Sequence, residues 1–212
     1  MSDAGRGLFI TLEGGEGSGK STQGRRLAER LRSMGRDVVM TREPGGTIGA
    51  EAVRRLLLDG TARDLGRHAE TALFAAARAD HVAHRIRPAL DAGADVLCDR
   101  FLDSSRAYQA GDPILAHLER AAVNGTMPDL TLIFDIDPEL GRERVRTRDG
   151  GLDRFEASSP DELARRREAF RAIAAAEPDR CVLIDANGGV DDVARETWAH
   201  VNERFPDLRD AA

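Results

Sequence analysis

The segment Gly14-Gly15-Glu16-Gly17-Ser18-Gly19-Lys20-Ser21 matches G-x-x-x-x-G-K-[ST]. Glycines at these spacings let the backbone curl so that successive N–H groups point inward at one anion. The chemistry this allows is triphosphate binding. Gly14 to Thr22 form the cradle, Lys20 reaches the β- and γ-phosphates, and the Ser21 hydroxyl ligates Mg²⁺. Lys20 is also the only lysine; every other basic residue among the 31 is arginine. A lone lysine against that bias marks a place where a compact ammonium is needed and a planar fork does not fit. The dinucleotide fingerprint G-x-G-x-x-G is not matched, and the guanine-reading N-K-x-D cannot be built because its lysine is already used.

Other groups suit phosphate and base recognition. Arg42 and Arg100 fall at the ends of apolar strands, where a guanidinium could grip a second phosphate bidentately. Asp99, beside Arg100, could order Mg²⁺ and its water; taken alone, the Asp-Arg pair reads rather as a surface ion pair, and its place at a strand end shifts the balance. Phe74 and Arg78 share a helix face, either as a base site or as a core Phe with a solvated Arg. Glu16 is an odd choice beside phosphates, because its charge repels them, so it must accept hydrogen bonds from something else. Arg142, Arg144, Arg146 and Arg148 alternate toward a helix end, followed by Gly150, Gly151 and Arg154. They form either a solvated face or a mobile lid that brings cations to a transferring phosphoryl group. His81 and His84, with no third ligand nearby, read as ordinary helix histidines, and Arg165-Arg166-Arg167 as a solvated face.

The elements that must position these groups alternate along the chain. Strands are expected at 8–12, 38–41, 94–98, 130–135 and 181–185. Helices are expected at 20–34, 48–58, 67–91, near 113–123 and at 138–147, with others on both sides of the last strand; a polar segment separates the third strand from the helix near 113. This order argues an α/β fold, a five-stranded parallel sheet covered by helices on both faces. A length of 212 residues with 41% hydrophobic content fits one domain spanning 1–212. The net charge of −6 disfavours a general nucleic-acid binder. No apolar run is long enough for a membrane span, and Met1–Gly7 lacks the apolar region of a secretory signal. Cys98 and Cys181 lie in apolar runs, as buried cysteines of a reducing compartment do. A soluble cytoplasmic protein is expected.

The segments Thr41–Thr47, Phe74–Arg78, Asp99–Phe101, Ala107–Gln109, Pro128–Leu130 and Leu152–Glu156 follow the loop in a set order and spacing. In that order they resemble the bacterial thymidylate kinase family, from about Leu8 to Asp185. The resemblance implies a P-loop kinase fold with a short lid near 142–157, and transfer of phosphate from ATP·Mg²⁺ to dTMP, giving dTDP on the route to dTTP. It implies that Arg42 and Arg100 hold the acceptor phosphate, that Phe74 stacks on thymine and that Arg78 donates to a base carbonyl. Glu16 takes the 3′-hydroxyl, Tyr108 packs near the sugar, and Ser104 and Gln109 complete the acceptor site. In one branch of the family the phosphate loop itself carries a catalytic arginine; the matching position here is Gly17. The charge then falls to the lid, with Arg148 leading and Arg144 and Arg154 next. The family forms homodimers, and an Ala- and Leu-rich helix face around 73–83 could pair with its copy. No general base is needed, because a phosphate monoester with a second pKa near ~6 is already ionised at neutral pH. A kinase for another monophosphate, or a non-catalytic ATP-binding switch, remains the alternative.

Overall fold

A computed structural model of the chain describes residues 5–147 and 159–209. In chain order the elements are β1 (Phe9–Gly14), α1 (Lys20–Ser33), β2 (Val38–Arg42), α2 (Ile48–Leu58), α3 (Thr61–Asp64) and α4 (Arg67–His81). There follow α5 (Arg87–Asp91), β3 (Asp95–Asp99), α6 (Leu102–Tyr108), α7 (Leu115–Val123), β4 (Leu130–Asp135), α8 (Pro138–Arg146), α9 (Pro160–Ala176), β5 (Cys181–Asp185) and α10 (Val190–Arg204). The five strands are parallel in the order β2-β3-β1-β4-β5, as expected of an α/β fold. β1 is buried along its whole length, because a central strand is covered on both faces.

Alternation along β1 divides its side chains between two cores. Ile10 and Leu12 join Leu27, Leu31, Phe134 and Val193 beneath α1 and α10. Phe9 points the other way, into Val82, Ile86, Val96 and Phe101, and meets the Phe101 ring edge-on at 5.0 Å. Glu13 shares the face of Phe9 and therefore points at the start of α6. Local signals set several helix ends. The Thr47 side chain accepts from the Ala50 N–H at the start of α2. Asp137 caps α8 ahead of Pro138, and Ser159 with Glu162 closes a capping box on α9.

Two elements depart from the sequence expectation. The helix expected over 67–91 contains a π turn at Val82–Ile86, with the Arg87 N–H reaching the Val82 carbonyl. Pro88 has no N–H to continue the i→i−4 ladder, so the widened turn precedes it. The polar stretch after β3 holds α6. Its Asp103 is fully buried, and Ser105 and Gln109 nearly so. A helix with polar side chains facing inward shows no apolar period to read. Asp129, from the Pro128–Leu130 motif, lies at the amino edge of the sheet, where it accepts from the Phe9 N–H at 2.7 Å and pairs with Arg6. That role is structural. No helix among the described residues is long and apolar enough to cross a membrane.

Candidate active site

The strand order fixes what lies beside what along the carboxyl edge of the sheet. β1 delivers the Gly-rich loop to the middle. On one flank β3 and β2 deliver Asp99, Arg100, Arg42 and Glu43; on the other, β5 delivers the turn from Ala186 to Val190. One cavity of about 740 Å³ runs past all of them, lined by the phosphate loop, Arg42, Phe74, Arg78, Arg100, Tyr108, Arg144 and Val190, among others. Ligands bind in such crevices at the carboxyl ends of parallel strands.

Within the loop, the Lys20 ammonium donates to the carbonyls of Gly15 at 2.7 Å and Gly14 at 3.0 Å. Burial, with Arg100 nearby, pushes its pKa down to about 8. Gly19 stands at φ +86° directly before α1, so the loop passes into the helix through a conformation glycine adopts freely. Gly17 has φ +73°, and a Cβ there would lie 2.1 Å from the Gly141 carbonyl oxygen on α8. Reciprocally, a Cβ on Gly141 would lie 2.7 Å from the Glu16 carbonyl. α8 is thus seated on the phosphate loop, glycine against glycine.

Ser21 Oγ donates to Asp99 Oδ2 at 2.5 Å, bringing the two expected Mg²⁺ ligands together. Hard oxygen donors beside a triphosphate cradle fit Mg²⁺, which takes one or two protein ligands and completes its octahedron with water and phosphate.

Arg100 sits at φ +69°, one of two non-glycine residues with positive φ among those described. That conformation costs about 1–2 kcal/mol and persists because the surroundings hold it. Its Nη1 donates to the Gly14 carbonyl and to Ser104 Oγ, and its Nη2 to Glu16 Oε1, each at 3.2 Å. Glu16 Oε1 also accepts from the Tyr108 hydroxyl, while Oε2 is buried with no partner among the described residues. Burial pushes the Glu16 carboxyl up, but Arg100, Lys20 and Tyr108 outweigh it and hold it below its ordinary value. Burial raises the Tyr108 pKa, so its hydroxyl stays a donor. Gln109 is likewise buried with both amide atoms unpartnered among the described residues. Unsatisfied polar atoms lining a cavity are what a polar ligand would satisfy.

Arg78 is nearly fully buried and held on two sides. Its Nε donates to Glu43 Oε2 at 2.8 Å, and its Nη2 to the Phe101 carbonyl and Ser105 Oγ. The reading of Arg78 as a solvated residue is therefore excluded. Phe74, one turn earlier, lines the same cavity. Arg42 is half-exposed and donates to Glu51, which also accepts from the Gly46 N–H.

The arginines expected to serve a lid separate. Arg144 donates to the carbonyls of Ala186 at 2.8 Å, Gly188 at 3.1 Å and Asn187 at 3.2 Å, on the β5 flank. Arg148 and Arg154 lie outside the described residues. The triplet after the lid is not a plain solvated face. Arg167 grips Asp135 with two hydrogen bonds, and the Arg166 guanidinium lies 4.4 Å from the centre of the Tyr108 ring.

Sequence reasoning passed over Glu13, which is fully buried on β1. It accepts from the Phe101 N–H at 2.7 Å and from Ser104 Oγ at 2.6 Å, and so fixes the turn that presents Arg100. Burial and nearby Asp103 push its pKa to about 7. An acid raised from 4.5 to about 7 holds its proton when folded while the unfolded chain has released it. Its contribution to stability is therefore lost as pH rises from about 4.5 to 7. The melting temperature of Glu13→Gln should gain on that of the wild type across this window; a constant difference would argue against a protonated Glu13.

The comparisons with known proteins agree with this geometry. A family model described as thymidylate kinase matches residues 12–197. A thymidylate kinase of Nitrobacter hamburgensis is 52% identical over 206 residues, covering 94% of this chain and 90% of that protein. One from a Bradyrhizobium species is 50% identical over 208 residues, covering 95% and 92%. A solved thymidylate kinase structure from Ehrlichia chaffeensis superposes with a TM-score of 0.72 at 33% identity, over 92% of this chain and 99% of that one. With a family model over residues 12–197, relatives about half identical over nearly the whole chain and a shared fold, the chain belongs to the thymidylate kinase family.

Proposed function

We propose that this enzyme transfers the γ-phosphoryl group of ATP to dTMP, giving dTDP on the route to dTTP. The observation that carries the reading is the arrangement of one cavity about the phosphate loop. Guanidinium groups for a second phosphate, Arg42 and Arg100, lie on the β3–β2 flank; an apolar turn clamped by Arg144 lies on the β5 flank. The triphosphate then lies over β1, its base against Ala186, Gly188 and Val190, with the acceptor on the other side. Phe74 and Arg78 meet the thymine, while Glu16, Ser104, Tyr108 and Gln109 meet the sugar and acceptor phosphate. Mg²⁺ held by Ser21 and Asp99 would supply charge neutralisation at the phosphates.

An oxygen of the dTMP phosphate attacks the γ-phosphorus, and the bond to the β–γ bridging oxygen breaks as ADP departs. No proton transfer is required. Lys20, Arg100 and Arg42 offset the charge and hold attacker and leaving group in line. A lid over about 142–157 supplies the last cation. Gly17, pressed against Gly141, leaves no room for an arginine in the loop itself, which supports a lid arginine. Arg148→Ala should lower kcat about 100-fold while both KM values stay within about threefold, because such a charge acts mainly in the transition state. An unchanged kcat would shift the role to Arg154.

The function is tested by ADP release with ATP and Mg²⁺ against dTMP, dUMP, UMP, CMP, AMP and GMP. Fast turnover with dTMP and weaker turnover with dUMP are expected. Preference for another base would overturn the roles of Phe74 and Arg78, and no acceptor-dependent turnover would overturn the kinase reading. We further place the enzyme in the cytoplasm as a homodimer. Free, buried Cys98 and Cys181 support a reducing compartment. Ala72, Ala76, Ala79 and Ala83 form an exposed small-residue stripe near Ile48, which is 94% exposed, and these support pairing through α4. Sedimentation should give a dimer that Ala79→Arg converts to monomer; a monomeric wild type at micromolar concentration would refute it.

A further inference from the structure

We infer that His81 is a positioning residue for the acceptor base. It fixes Glu43, Glu43 fixes Arg78, and the free edge of the Arg78 guanidinium is thereby aimed into the cavity. The inference rests on the reading that Arg78 meets the base.

His81 lies one turn beyond Arg78 on α4 and is fully buried. Its Nδ1 is 3.1 Å from Glu43 Oε1, and its Nε2 is 2.6 Å from Thr41 Oγ1. The other oxygen of the same carboxylate, Glu43 Oε2, accepts from Arg78 Nε at 2.8 Å. A carboxylate facing a guanidinium can only accept, so Nδ1 carries the imidazole proton. Nε2 shares a hydrogen bond with the Thr41 hydroxyl, which can serve as donor or acceptor. Glu43 is thus held from both sides, by His81 on Oε1 and by Arg78 on Oε2, with Thr41 steadying the far edge of the imidazole.

A guanidinium is planar and rigid, so fixing two of its nitrogens fixes the third. Nε is held by Glu43, and Nη2 by the Phe101 carbonyl at 2.9 Å and Ser105 Oγ at 3.1 Å. Nη1 makes no hydrogen bond among the described residues, and it belongs to a side chain that lines the cavity. Of these supports, Glu43 is the one that could rotate away, because its carboxylate ends a flexible side chain one residue beyond the end of β2. Its Oε1 is tied down by His81. Loss of the imidazole would leave a buried carboxylate oxygen unpaired, and the carboxylate would turn to find a partner.

The backbone is folded down onto this pair. Gly46 has φ +88°, and a Cβ there would lie 2.5 Å from both His81 Nε2 and Thr41 Oγ1. The Thr41–Thr47 segment thus closes over the imidazole, sealing it from water. His84 takes no part: it is exposed and pairs with Asp80 on the outer side of the helix.

The test is a set of variants read by KM for dTMP, KM for ATP and kcat. His81→Leu should raise the dTMP KM about tenfold, leave the ATP KM within about twofold and change kcat little. His81→Asn places an amide nitrogen near the position of Nδ1 and should restore most of the loss. His81→Gln reaches toward Thr41 instead and should not. On an Arg78→Ala background, adding His81→Leu should cause no further rise in the dTMP KM, because the two act in series. Additive effects, a parallel rise in the ATP KM, or Asn no better than Leu would overturn the inference. Should His81→Leu fail to fold, Glu43→Gln serves in its place, with the same expected split between the two substrates. If Arg78→Ala alone leaves the dTMP KM unchanged, the base-site reading itself falls; if only the His81 variants are silent, the base site stands and this inference falls.

Discussion

Replacing Lys20 by arginine should lower kcat by about three orders of magnitude, nearly as much as replacing it by alanine. Charge alone would favour the conservative change, and the rest of the chain uses arginine wherever a cation is needed. The geometry at this position argues otherwise. The ammonium is buried, with two carbonyl oxygens within 3.0 Å and Ser18 Oγ at 3.4 Å. A tetrahedral ammonium points three donors into so small a cup, whereas a planar guanidinium would spread the loop that the glycines curl. Loss of the ammonium should also appear in the pH profile of the wild type. With a pKa near 8, Lys20 gives up its proton as pH rises, so kcat/KM for ATP should fall on the alkaline side of that value. Single-turnover rates and ATP affinity for both variants decide the matter. An arginine variant retaining a tenth of wild-type kcat would mean that position 20 needs only a positive charge.

Arg78→Ala should raise the dTMP KM about 30- to 150-fold and leave the ATP KM nearly unchanged. A buried, charged hydrogen bond to a ligand contributes about 2–3 kcal/mol, which sets this range. A second cost follows from the packing. Removing the guanidinium strands Glu43 in the interior with only His81 beside it, and breaking a buried pair in this way costs about 3–5 kcal/mol of stability. The two effects are separable. Arg78→Ala combined with Glu43→Gln should recover melting temperature without recovering dTMP affinity. Equal rises in both KM values would show that Arg78 supports the whole cavity rather than the base.

The β-strands and the phosphate loop were legible because each is a local pattern: apolar runs of strand length, and glycines whose spacing has one purpose. The placement of Arg42, Asp99 and Arg100 followed from their positions at strand ends. The side chains that act over distance were not legible. Arg144 bonds to a carbonyl 42 residues away, and a backbone acceptor leaves no mark in sequence. Nothing in the sequence marks Glu13, Glu43 and Asp103 as interior, since acids are usually exposed, yet each is buried with its partners supplied by other elements. His81 and His84 looked alike, three residues apart on one helix. One faces the core and the other solvent, and only tertiary packing distinguishes them.

The contact between Gly17 and Gly141 constrains how such an enzyme can change over generations. A side chain at either position collides with backbone of the other segment, so neither glycine can be exchanged unless the lid helix first withdraws. An arginine therefore cannot enter the phosphate loop of this lineage by one substitution without dislodging the helix that leads into the lid. The two solutions to the same electrostatic need, a cation in the loop or a cation in the lid, are separated by intermediates that have neither in place.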